Sequence, residues 1–114
     1  MDFIIIDGKN MANEKQMHHE LKNKLKFPDY YGCNFDALYD CLTDISNNEI
    51  IIIHNFIYAF KSLNKISVSM IEVFYSAKMN TGNFHFLVID DEIFNYIGML
   101  SLQDLFMLRT DHLR

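Results

Sequence analysis

The chain has 114 residues, of which 50% are hydrophobic, 22% charged and 14% aromatic. That composition belongs to one folded domain and excludes a disordered tail. No apolar run approaches the roughly 20 residues of a membrane helix, two cysteines do not make a disulfide scaffold, and the Met-Asp-Phe start carries no basic leader, so a cytoplasmic protein is expected. The net charge of −5 has a location: residues 27–60 hold Asp29, Asp36, Asp40, Asp44 and Glu49 but no Lys or Arg. Outside that window acids and bases balance. A footprint of this sign argues against direct nucleic-acid binding and favours a basic partner surface or a metal ion.

The first element is the apolar run Phe3-Ile4-Ile5-Ile6, read as a strand over 2–6 and followed by an Asp7-Gly8 turn. Ile50–His54 and Phe84–Ile89 repeat the pattern. Runs apolar on both faces predict buried parallel strands. Asn13 is placed to cap a helix bearing Met17, Leu21 and Leu25, ended by Phe27-Pro28. Asn34 is placed to cap a second, from about Phe35 to Ile45. A third carries Ile66, Met70, Val73, Phe74 and Ala77, with a turn at Gly82. Helical crossovers between apolar strands define an α/β domain with a three-stranded parallel sheet. In residues 90–114, Ile93, Tyr96, Ile97 and Leu100 have helical spacing, weakened by Gly98, and Ser101 to Asp104 opens a final short helix with Leu105, Phe106 and Leu108. So many apolar groups predict burial of this tail, either on the domain or across a homodimer.

Chemistry concentrates on the second helix. At about 100° per residue, Asp36, Asp40 and Asp44 share one face with Tyr39 and Thr43, while Leu38, Cys41, Leu42 and Ile45 form the core face. Like charges four residues apart weaken a helix. Three readings are open: a solvated face, a divalent-ion site on Asp36 and Asp40, or a docking face for a basic cleft. In the last, Tyr30, Tyr31 and Phe35 supply rings beside phosphate-like charges, a combination suited to filling a nuclease site.

The run Phe27-Pro28-Asp29-Tyr30-Tyr31-Gly32-Cys33-Asn34-Phe35-Asp36-Ala37-Leu38-Tyr39-Asp40-Cys41-Leu42-Thr43 resembles the signature of the barstar family, intracellular inhibitors of barnase-type microbial ribonucleases, and the order of elements fits over residues 2–89. The resemblance implies a three-stranded parallel sheet packed with helices. It implies that Asp40 enters the nuclease active site at a phosphate position, with Tyr30, Asn34, Phe35, Asp36, Tyr39 and Thr43 as surrounding contacts. The family often has Trp at the Tyr39 position. Asp44-Ile45 replaces the Gly-Trp of the family's prototype and adds a charge to this face. Ser76 and Asn80 stand where the prototype offers further acidic contacts. These departures bear on which nuclease is the partner, and the 90–114 tail has no counterpart in the prototype.

Other signals are weak. His18-His19-Glu20 lacks the i, i+4 histidine spacing of a zinc helix and reads as surface. Cys41 reads as a core thiol, Cys33 as a loop thiol, and His54 and His85 as core or edge residues. Four scattered glycines make no phosphate-cradling loop. The expectation is a non-catalytic protein inhibitor without cofactor or metal, partnered by a basic extracellular-type ribonuclease or nuclease toxin. The alternative is an interaction module of the same fold that self-associates through 90–114.

Overall fold

The computed structural model describes residues 3–46, 48–81 and 83–90. The expected strand start at Asp2, the turn at Gly82 and the tail helices built on Ile93, Tyr96, Ile97, Leu100, Leu105, Phe106 and Leu108 lie outside them. Three strands, β1 (Phe3–Asp7), β2 (Glu49–His54) and β3 (Phe84–Ile89), form one parallel sheet in the order β1-β2-β3. The register sets Ile5 beside Ile52 and Ile52 beside Leu87.

The α-helices among the described residues are α1 (Glu14–Leu25), α2 (Phe35–Thr43), α3 (Phe56–Leu63) and α4 (Lys65–Thr81). The two expected caps form: Asn13 Oδ1 accepts from the Gln16 amide at 2.8 Å, and Asn34 Oδ1 accepts from the Ala37 amide at 2.7 Å. Each satisfies a first-turn donor that has no partner within its helix. α1 stops at Lys26, in the left-handed conformation at φ 57°. The single helix expected between β2 and β3 is two. α3 was not anticipated, because its residues 56–60 are apolar without a break and show no helical period. α2 ends at Thr43, so Ile45 lies beyond it and Asp44 is its C-cap.

The buried apolar residues of all four helices join Ile6, Ile51, Ile53, Phe84 and Phe86 in one cluster. One face of the sheet therefore forms the core. The expectation that every strand is buried on both faces holds for β2 but not for β1, where Phe3 and Ile5 are 55% and 50% exposed.

The carboxyl ends of the strands are tied together through Asn55. Its amide donates to the Ile89 carbonyl at 3.1 Å, and its Nδ2 donates to Asp7 Oδ1 at 3.0 Å. Its own carbonyl lies so close to Gly8 that a Cβ there would sit 2.2 Å away. Burial works against the charge on Asp7, but hydrogen bonds from Asn55 and the Lys9 amide, with nearby His54, outweigh it and lower the pKa. Gly8→Ala forces backbone against backbone and is expected to cost roughly 1–3 kcal/mol or more. At Gly32 a new Cβ would meet only the movable Asn34 amide, at 3.3 Å, and the Ala37 methyl, at 3.5 Å. Urea denaturation of both variants checks this: equal midpoints would contradict the role given to the close approach.

Candidate partner-binding site

The acidic face is built by α2 and the loop before it. Leu38 and Leu42 are fully buried, and they fix the rotation of the helix. Asp36, Asp40 and Asp44 consequently point outward and are exposed, with Tyr39 and Thr43 half-buried along their flank. Among the described residues no ion pair engages any of the three carboxylates. Thr43 Oγ1 donates to the Asp40 carbonyl at 2.9 Å, which tightens the last turn. Asp44 donates its amide back to the carbonyls of Asp40, Cys41 and Leu42. Its charge thus sits at the negative end of the helix dipole.

The preceding loop separates two adjacent tyrosines. Tyr30 is 86% exposed, whereas Tyr31 is 6% exposed. The Tyr31 amide donates to the Pro28 carbonyl at 2.9 Å, closing a turn. Its ring lies 5.0 Å from that of Phe27, and its hydroxyl is 2.6 Å from His18 Nδ1. The His18 ring also lies 5.8 Å from Phe35. One tyrosine anchors the loop, and the other is held out beside Asn34, which is exposed, and Phe35, which is half-buried.

This corrects the reading of His18-His19-Glu20 as surface residues. His19 is exposed, but His18 and Glu20 are buried at 1% and 6%. Glu20 accepts from the Asp7 amide at 2.9 Å and from Asn10 Nδ2 at 3.1 Å, and Lys24 lies 3.6 Å away. The hydrogen-bond partners of Glu20 and of His18 Nδ1 (the Asp7 amide, Asn10 and Tyr31) lie ten or more residues distant, so neither helical periodicity nor local spacing could reveal the burial. Cys41 is half-buried against the core, and burial first, then Asp44 and Asp40, raise its pKa. Cys33 is exposed, with a left-handed backbone at φ 53°.

A residue of α4 completes the face. Asn80 Nδ2 donates to the Tyr39 hydroxyl, so the helix that packs beside α2 also holds its aromatic side chain. Ser76, one turn earlier, is exposed. The expected set Tyr30, Asn34, Phe35, Asp36, Tyr39, Asp40, Thr43 and Asp44 occupies one loop and one helix, and Tyr31, His18 and Asn80 support it from behind and beside. Among the described residues no group of three or more His, Cys, Asp or Glu could hold a metal. No described helix is long and apolar enough to cross a membrane.

Residues 1–89 match the family model described as barstar, the barnase inhibitor. The chain belongs to the barstar family. A Bacillus subtilis (strain 168) protein named "Putative ribonuclease inhibitor YrdF" is 41% identical to it over 76 residues, 66% of this chain and 84% of that protein.

The burial of His18 generates a pH dependence. Burial lowers the His18 pKa, with Glu14 partly opposing, so the folded protein binds fewer protons at this site than the unfolded chain. The stability it contributes is complete above the unfolded value of 6.5 and is lost as pH falls from there through the lower folded value. Asp7, with its lowered pKa, loses its contribution only as pH falls below 3.8. Urea midpoints between pH 7.5 and 4.5 are therefore expected to fall, and His18→Gln is expected to flatten that fall. An unchanged slope in the variant would show that His18 is not the titrating group.

Proposed function

We propose that the chain inhibits a microbial ribonuclease or ribonuclease-like toxin by seating α2 and the 27–34 loop in its basic active site. The observation that carries this reading is the acidic face itself: three exposed carboxylates on consecutive turns, unpaired among the described residues, beside an exposed tyrosine. A solvated face does not require one sign of charge, and like charges at this spacing weaken the helix by a few tenths of a kcal/mol per pair. Family membership and the name carried by the Bacillus subtilis relative support the same reading.

Asp40, at the middle of the helix, is the group that takes a phosphate position among the partner's cations. Asp36 flanks it toward the N-terminus. Tyr30, Phe35 and Tyr39 supply ring contacts, and Asn34 and Thr43 supply polar ones. Asp44 lies toward the rim, where charge acts mainly on diffusional encounter. The inhibitor does no chemistry of its own: it blocks access sterically and electrostatically. It works in the cytoplasm, protecting the cell from a basic nuclease of the secreted type. The two free thiols, one of them exposed, suit that reducing compartment.

Asp40→Ala is expected to leave thermal stability unchanged or slightly raised, since Asp40 is exposed and one repulsion is removed. Against the nuclease it is expected to speed dissociation strongly. Truncation leaves the partner's cations buried and unpaired, at a cost of roughly 2–5 kcal/mol. Asp44→Ala is expected to lower the association rate and flatten its salt dependence, with little effect on dissociation. Surface-binding kinetics against a nuclease encoded beside this chain, with melting curves for both variants, test the proposal. Equal and small effects of the two substitutions would return the helix to a solvated face.

A further inference from the structure

The sheet has a second face, on which none of the buried apolar residues of α1 to α4 pack. Phe3 and Ile5 of β1, Ile50 and Ile52 of β2, and Leu87 and Ile89 of β3 point to it, opposite the core. Four of them, Ile50, Ile52, Leu87 and Ile89, form a buried cluster of strand residues alone. Every buried apolar residue of α1 to α4 belongs to the other cluster. Exposure across one row of this face is uneven: 50% at Ile5, 3% at Ile52 and 9% at Leu87. A sheet face buried to that degree needs a second layer, and the burial is deepest toward β3.

β3 is the strand from which the chain leaves. Its exit is fixed at Asp90, whose Oδ1 accepts from the Ile57 amide at 2.9 Å. Beyond it lie Asp91 to Arg114, of which twelve are apolar: Ile, Leu, Met, Phe or Tyr. Ile93, Tyr96, Ile97 and Leu100 stand at i, i+3, i+4 and i+7, a single helical stripe. Asp91 and Glu92 precede it, where a helix favours negative charge. Ten to twelve helical residues span about 15–18 Å, and a six-residue strand about 20 Å. The stripe therefore has the length, the apolarity and the point of departure to cover this face.

We propose that residues 91–114 of the same chain pack as a helical layer on the second face of the sheet, with Ile93, Tyr96, Ile97 and Leu100 against Ile5, Ile52 and Leu87. The layer turns the two-layer domain into a three-layer one. It stands independently of the inhibitory role of α2, which lies across the core on the other side.

The test uses the full chain. Leu100→Ala is expected to lower the melting temperature by about 4–8 °C. In a Leu87→Ala or Ile5→Ala background the same change is expected to cost clearly less, because the pair shares one contact, whereas in a Leu38→Ala background, on the other face, it is expected to cost the full amount. A photoreactive benzoylphenylalanine in place of Tyr96 needs no destabilised variant. It is expected to cross-link within a monomer, to peptides of β1, β2 or β3. Full additivity in the Leu87→Ala background, or cross-links to peptides of α1, α2 or α4, would overturn the assignment. A cross-linked dimer, matched by a doubled sedimentation mass that Leu100→Ala halves, would give the face to a second copy instead.

Discussion

The carboxyl end of the sheet depends on one asparagine. Asn55 reaches β1 through Asp7 and β3 through the Ile89 carbonyl, while its own backbone lies against Gly8 with no room for a side chain. It does so from a left-handed conformation, φ 59°, which asparagine tolerates better than most residues. From this junction the constraint passes outward. The Asp7 amide is bonded to Glu20, which fixes α1 against the end of β1. Two residues before Glu20, His18 holds Tyr31, and Tyr31 sets the loop that leads into α2. The acidic face is thus positioned by a series of polar contacts that begins at the sheet, in addition to the apolar packing of Leu38 and Leu42.

Much of the frame was legible in the sequence, and for identifiable reasons. Three largely apolar runs marked the strands, because parallel strands carry apolar groups with little alternation. Asn13 and Asn34 gave the helix starts, because each capping oxygen bonds an amide only three residues away. The parts that escaped depend on distant partners. α3 has no cap from Asn55, whose side chain is committed to Asp7, and the Ile57 amide is satisfied by Asp90, 33 residues on. His18 and Glu20 read as polar surface because their partners, Tyr31 and the Asp7 amide, each lie 13 residues away.

The site divides in the same way. Helical spacing alone placed Asp36, Asp40 and Asp44 together opposite Leu38 and Leu42. It could not distinguish Tyr30 from Tyr31, since adjacent rings in a loop have no periodicity. The fold separates them by offering one buried hydrogen-bond partner, the His18 ring. Nor could spacing connect Tyr39 with Asn80, which belongs to another helix 41 residues away. What marked residue 80 was the resemblance, as a departure from acidic contacts elsewhere in the family.

The Asn80–Tyr39 hydrogen bond also bears on the entropy of association. A long or aromatic side chain that is free in solution loses rotamer freedom when a partner closes over it, at about 0.5–1.5 kcal/mol each. Tyr39 is already held by Asn80, and the loop that carries Tyr30 is already pinned through Tyr31. In the proposed complex, Tyr39 and the backbone that carries Tyr30 therefore start from a narrowed set of conformations. Their ordering is accomplished during folding of the free protein, so that less of it opposes the encounter.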